Sequence, residues 1–356
     1  MVRLGLELRD RGHQVELACP TAPPAADRSL ASEAADSGLV PALSIARGRG
    51  ARPLADRGDV RALRSFLSER RIEIVHTWHT RDHLLALRAA GALGRRIRLV
   101  RSYRKGETIP PSPWNRWLFG PGTDGLLCVS PETARRNAPL RGGRPVAGAF
   151  GAVDTERFRP APGDPEVRRS LGLAPEHRVV GIVARVQPHR RFDLLVEAAA
   201  LLCRSDPLSR VLVVGRGTQR SKLAEQPVER MGLSDRVIFA GYRHADYRDV
   251  VRTIDVFTFL VPGSDGTCRA LLEAAACGIP AVVWRRGALA EIVVHGKTGL
   301  LVEESAAALV AGWRDLLHDS ERRSALGEGA RKRAEDLFTA ASLATVVEAL
   351  YEEARG

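Results

Sequence analysis

At 356 residues the chain exceeds what one hydrophobic core usually serves, so two domains are expected. Its 44% apolar content is ordinary for a globular protein, and no apolar run reaches the ~20 residues that cross a bilayer. The net charge of +12 is uneven: residues 1–150 carry 25 Lys and Arg against 14 Asp and Glu, residues 151–356 carry 29 against 28. The basic first half calls for an anionic partner, be it a membrane surface, an acidic polymer or nucleic acid.

A helix over 2–11, closed by Gly12, comes first and is followed by an alternating strand over 15–19. Arg3, Glu7, Arg9 and Arg11 interrupt every apolar core that a signal peptide would need. Helices over 60–70 and 84–92 then alternate with strands over 72–75, 97–100 and 125–129. The first of these strands ends at His76 and the last at Ser130. Such βα repetition builds a parallel sheet with helices on both faces. A domain of this kind ordinarily opens on a central strand and a glycine-rich turn. The expectation is therefore that the first strand is missing and that the natural protein extends upstream. The segment 153–175, with Pro160, Pro162 and Pro165, reads as the connection between domains.

A second alternation follows, with strands over 179–184, 210–214, 237–239, 256–260, 281–283 and 300–301. The helices between them span 192–202, 222–231, 247–253 and 270–277, and three more cover 306–317, 322–336 and 341–353. The fold class is α/β, two doubly wound domains facing a central cleft, with ligands at the carboxyl ends of the strands. The expected divisions are a basic domain over 1–155, a second domain over 156–335 and a C-terminal helix over 336–356 that packs back on the first. Cys19, Cys128, Cys203, Cys268 and Cys277 lie far apart and form no CxxC pair. Neither structural zinc nor a disulfide framework is indicated, and a cytosolic setting is expected.

The segment 264–283 carries the most chemistry. Asp265 and Glu273 lie eight positions apart around a Gly-Thr-Cys-Arg step, where a turn runs into a small-residue helix stopped by Gly278 and Pro280. A helix start beside one acid, with a second acid about two turns in, suits a ligand with an anionic part and several hydroxyls. A sugar nucleotide has that chemistry. Each acid also has a plainer reading, Ser-Asp-Gly as a turn and Glu273 as a carboxylate favouring the helix dipole.

These motifs, in order, resemble the GT-B glycosyltransferases of the family-4 type along nearly the whole chain. The matching stretches are Leu8 to Val15 (LRDRGHQV), Val75 to His79 (VHTWH), Gly151 to Asp154 with Phe158 and Pro160, and Ala184 to Arg190 (ARVQPHR). They continue through Val213 to Gly217 (VVGRG), Val237 to Gly241 (VIFAG), Asp265 to Glu273, Gly287 to Glu291, and Gly296 to Leu300. The resemblance implies a retaining enzyme that uses a nucleotide-diphosphate sugar. It implies that Arg185 and Arg190 neutralise the leaving diphosphate without a metal or other cofactor. It also implies that Glu273 accepts hydrogen bonds from the donor ribose and that Asp265, one methylene shorter than the family's Glu, contacts the transferred sugar. Arg190 stands where the family has Lys, a fork in place of a point donor. Gly241, Gly266, Thr267, Cys268 and Glu291 complete the expected donor side, and Arg191 reads as a surface residue.

On the acceptor side the chain departs from the family. Ser102-Tyr103-Arg104 replaces a "T.H" element, and Arg104 suits an anionic acceptor because a guanidinium cannot act as a neutral base. His76 and His79 are the remaining acceptor-side candidates, and a structural role is as favoured as a catalytic one. The segment 113–119, PWNRWLF, lies near Arg101, Arg104 and Lys105 and fits either a membrane headgroup layer or a buried helix. The expected function is transfer of a sugar to an anionic, glycan or lipid-linked acceptor in cell-envelope or lipopolysaccharide-type synthesis. The expected place is the cytoplasm or the inner face of the membrane, without specific nucleic-acid binding. The alternative is a non-catalytic GT-B protein that binds an anionic polymer or membrane. An NAD-dependent enzyme is disfavoured, since no GxGxxG follows a strand.

Overall fold

The computed structural model describes residues 1–20, 29–46, 53–261 and 267–356. The chain divides into two compact units, Met1–Phe150 with Ala340–Gly356, and Gly151–Thr339.

The first unit runs α1 (Val2–Asp10), β1 (Leu17–Cys19), α2 (Leu30–Asp36), β2 (Pro41–Ser44), α3 (Pro53–Glu69), β3 (Ile74–Thr77) and α4 (Thr80–Gly91). It continues with β4 (Arg98–Tyr103), α5 (Pro113–Phe119), β5 (Gly125–Cys128), α6 (Pro131–Arg141) and β6 (Val146–Gly148), and it ends on the C-terminal helix Ala340–Arg355. Short α2 and β2 escape periodicity, but α2 has a clear local cause. Ser29 and Ser32 form a reciprocal capping box that fixes its first turn. Strands β3-β4-β5-β6 form one parallel sheet, and β1-β2 form a separate parallel pair.

Several clusters of side chains hold this unit together. Leu63 and Leu67 of α3 meet Leu85, Ala86 and Ala89 of α4 and Leu99 of β4. Arg81 ties the same helices by bonding Asp56 at 2.7 Å and Asp59 at 2.6 Å. In a second cluster, Val347 and Leu350 of the C-terminal helix pack with Leu4 and Leu8 of α1, Val100 of β4 and Leu127 of β5. The C-terminal helix therefore belongs to the first unit's core, and Arg11 locks it there through Glu348 at 2.7 Å.

The second unit runs α7 (Pro165–Ser170), β7 (Arg178–Val183), α8 (Phe192–Ser205), β8 (Ser209–Val214), α9 (Gln226–Arg230), β9 (Val237–Gly241) and α10 (Tyr247–Val251). Then come β10 (Val256–Phe259), α11 (Arg269–Ala276), β11 (Ala281–Trp284), α12 (Leu289–Ile292), β12 (Gly299–Val302), α13 (Ala306–His318) and α14 (Ser320–Leu337). The segment read as a connection contains α7, capped by Asp164 with Pro165 in its first turn. The helix expected over 222–231 is a π-helical turn, Ser221–Glu225, followed by α9. Pro227 has no N–H to give the preceding turn, which forces that widening.

All six strands of this unit are parallel, in the order β12-β11-β10-β7-β8-β9. β10 and β11 are buried at every position, as a sheet covered on both faces requires. The order reverses between β7 and β10, so the loops leaving those two strands part in opposite directions and open a crevice at their carboxyl ends.

Candidate active site

The loops at that switch point carry most of the donor-side candidates. Arg185 follows β7, is exposed, and makes no hydrogen bond or ion pair among the described residues. Arg190 closes the 3-10 turn Pro188–Arg190. Its Nη1 donates to the Val261 carbonyl beyond β10 at 3.2 Å, and its guanidinium stands 5.8 Å from the Phe259 ring centroid. Arg190 thus bridges the β7 and β10 loops. Backbone strain collects at the same place. Among the described residues only Arg71, Arg191 and Cys268 are non-glycine residues with positive φ, and the latter two flank the crevice at 55° and 48°.

Cys268 is buried and serves as the left-handed N-cap of α11. Thr267 precedes it. Asp265 and Gly266 lie outside the described residues. Glu273 sits in α11, 3% exposed, and its two oxygens have different partners. The Tyr247 hydroxyl donates to Oε2 at 2.6 Å, and Arg269 Nε donates to Oε1 at 2.9 Å. Burial and the charge of Glu273 push the Tyr247 hydroxyl well above its ordinary pKa, so it is a firm donor. The i,i+4 spacing of Arg269 and Glu273 is visible in the sequence, whereas the Tyr247 contact across 26 positions is not.

Glycines draw the β7 and β8 loops together. A side chain at Gly217 would collide with the Val186 carbonyl oxygen, and one at Gly215 with that of Ala184. The Gly215 N–H donates to the Gly241 carbonyl at 2.7 Å, so Gly241 braces this turn from β9. Glu291 lies in α12 after β11, half-buried, with its carbonyl held by Arg333 at 2.7 Å. Among the described residues no cluster of His, Cys, Asp and Glu is placed to hold a metal ion.

The acceptor-side candidates occupy the first unit and separate by role. His76 Nδ1 meets the Tyr351 hydroxyl at 2.8 Å, and Nε2 meets Ser102 Oγ at 2.9 Å. The ring also stacks on Trp78 at 4.4 Å. Both nitrogens are engaged inside the unit, and burial holds the imidazole pKa down to about 3. His79 is exposed at the N-cap of α4 and makes no side-chain cap bond. Arg104 is half-buried just past β4. The 113–119 segment divides between the two readings: Leu118 and Phe119 of α5 are buried, while Trp114 and Trp117 are 52% and 45% exposed and lie 5.2 Å apart. Among the described residues no helix is long and apolar enough to cross a membrane.

Comparison with known proteins places both halves of the chain. Residues 163–333 match the family model for glycosyl transferases group 1, and residues 1–157 match that for glycosyltransferase family 4. The chain is 28% identical to a lipopolysaccharide core biosynthesis mannosyltransferase, LpsB, of Rhizobium meliloti over 77% of its own length and 78% of that protein. It is 36% identical to a D-inositol 3-phosphate glycosyltransferase of Rhodococcus opacus, over 52% of its own length and 43% of the relative's. Among solved structures, Anabaena Alr3699/HepE in complex with UDP and glucose superposes with a TM-score of 0.77 at 18% identity, covering 99% of this chain and 94% of that one.

Proposed function

From the premise that the chain belongs to the group 1 glycosyltransferases and has their GT-B fold, we propose that it moves a hexose from a nucleoside-diphosphate sugar to an anionic, lipid-linked or glycan acceptor of cell-envelope synthesis. In this reading the second unit holds the donor and the first receives the acceptor. The observation that carries it is the switch point of the second sheet, where Arg185 and Arg190 leave β7 opposite the start of α11 and its buried Glu273.

Glu273 has lone pairs beyond those used by Tyr247 and Arg269, and these accept the ribose hydroxyls. Arg185 and Arg190 neutralise the departing diphosphate, the work a divalent cation does elsewhere. The amides at the start of α11 hold donor oxygens, and Asp265 contacts the transferred sugar. No side chain is assigned as a nucleophile. The acceptor hydroxyl attacks from the face the diphosphate leaves, forming the new glycosidic bond as the old C–O bond breaks and passing its proton to the departing diphosphate oxygen, and the anomeric configuration is retained.

The lipopolysaccharide core mannosyltransferase among the relatives supports an envelope acceptor, and the D-inositol 3-phosphate glycosyltransferase supports an anionic one. The basic surplus of residues 1–150 and the exposed Trp114 and Trp117 support work at the cytoplasmic face of a membrane. Calorimetry with UDP and GDP tests the donor reading: saturable binding is expected for the wild type, with marked weakening in Glu273→Ala. Absence of binding to either nucleotide would return the chain to the non-catalytic alternative.

A further inference from the structure

A pocket opens at the amino ends of the second unit's strands, the end of the sheet away from the crevice. Asp255 immediately precedes β10 and Pro280 immediately precedes β11, whereas the crevice lies at the carboxyl ends of the strands. The pocket measures about 310 Å³ and runs from these two strand starts to the beginning of α14, where Ser320, Arg323 and Ser324 line it. That volume is at the lower end of the range that holds small organic ligands.

Two opposite charges line this pocket without pairing. The Val179 N–H donates to Asp255 Oδ2 at 2.7 Å, and Oδ1 has no partner among the described residues. Burial raises the carboxyl pKa, against the Val179 bond and then the charge of Arg323. Arg323 in turn commits Nη1 to the carbonyls of Leu316 at 2.7 Å and Leu317 at 3.2 Å, which fixes the side chain in place. Its Nε and Nη2 have no partner, and no carboxylate comes within ion-pair distance of it, among the described residues. These free atoms of Asp255 and Arg323 are not sealed in the interior, so an incoming molecule can reach them. Ser320 and Ser324 add exposed hydroxyls one turn apart on α14, and Ile254, Ile279 and Pro280 supply an apolar wall.

A partly buried charge without a partner costs free energy that a hydrogen-bonded counter-charge recovers. The fold holds Asp255 and Arg323 too far apart to do this for each other. The complementary molecule therefore carries both charges, a cation for Asp255 and an anion for Arg323. We propose that this pocket binds a small α-amino acid with an apolar side chain. Its ammonium meets Asp255, its carboxylate meets Arg323 and the two serine hydroxyls, and its side chain lies on the apolar wall. Every lining residue belongs to the second unit, and none is a donor-side candidate, so the proposal stands apart from the sugar-transfer reading.

Calorimetry on the full chain with L-valine tests it. Isobutylamine and isovalerate are the controls, being valine without its carboxylate and valine without its ammonium. Saturable binding of valine is expected, with each analogue weaker by about tenfold or more, the order of one hydrogen bond between charged groups. Asp255→Asn keeps an oxygen for the Val179 N–H and should weaken valine to about the level of isovalerate. Arg323→Gln should weaken it to about the level of isobutylamine. Melting temperatures identify any variant that does not fold; where only one folds it decides, and the analogue comparison on the wild type decides if neither does. Absence of saturable valine binding, equal binding of either analogue by the wild type, or unchanged valine affinity in a folded variant overturns the proposal. UDP and GDP titrations should be the same in wild type and both variants, as a site separate from the crevice requires.

Discussion

The Tyr247 hydroxyl donates a 2.6 Å hydrogen bond to Oε2 of Glu273, joining the first residue of α10 to the middle of α11. A short bond from a neutral donor to a buried carboxylate holds that carboxylate in one orientation. Tyr247→Phe keeps the ring that packs edge-on against Phe158 and removes only this donor. The expected outcome is a donor KM raised about tenfold, the order of one hydrogen bond to a charged group, with kcat changed much less. Arg269→Ala should do less, because that side chain is 63% exposed and its ion pair is screened. Steady-state kinetics with varied donor separates the two, and an equal fall in kcat for Tyr247→Phe would argue against a positioning role.

Arg190 reaches across the switch point to the Val261 carbonyl, so its loss affects both charge and loop placement. For Arg190→Ala we expect kcat to fall by about 10²–10³, the scale of losing one stabilising donor at a developing charge. Arg190→Lys should recover part of this, since the charge returns without the fork. With two arginines serving the diphosphate, activity should persist in EDTA. Complete loss in EDTA with recovery on adding magnesium would contradict that role.

The alternation of strands and helices was legible because the four-stranded and six-stranded sheets are parallel, which writes apolar runs and glycine stops into the local sequence. Motif order puts Arg185 and Arg190 with the 264–283 segment only by resemblance, while the reversal between β7 and β10 is a feature of the sheet order. Long-range partners left no such trace. The sequence does not show that His76 meets Tyr351, 275 positions away, and Ser102 through its two ring nitrogens. Arg101 read as one cation in a basic stretch, and only its burial against Phe119 set it apart. Pro113–Phe119 is too short for a periodicity to say which rings face inward, and Asp265 lies outside the described residues.

Gly217 has a role that side-chain chemistry would not suggest. A Cβ there meets the Val186 carbonyl oxygen, and that backbone cannot yield without shifting the β7 loop that carries Arg185. Gly217→Ala is therefore expected to lower stability by about 1–3 kcal/mol, the usual cost of forcing a closely packed site apart. It should also weaken nucleotide binding. Urea denaturation and nucleotide titration on the same variant check both, and unchanged binding would show that the β8 loop does not set the donor site.

Acid sensitivity should come from the first unit. Burial holds His76 down to about 3 and His83 down to about 4. His83 is wholly enclosed, with Nδ1 at 2.8 Å from Thr77 Oγ1 and Nε2 at 2.7 Å from the Gly122 carbonyl. In the unfolded chain both titrate near 6.5. Below that pH the unfolded state takes up protons that the folded state refuses, so stability falls as pH drops, and each group's contribution continues until its folded pKa is reached. Between pH 6.5 and 5, His76→Gln should lessen the pH dependence of unfolding free energy by up to one proton, about 1.4 kcal/mol per pH unit. Glutamine also retains a donor and an acceptor for Tyr351 and Ser102. Urea midpoints for wild type and variant across that range provide the measurement, and parallel curves would mean that His76 already protonates in the folded protein.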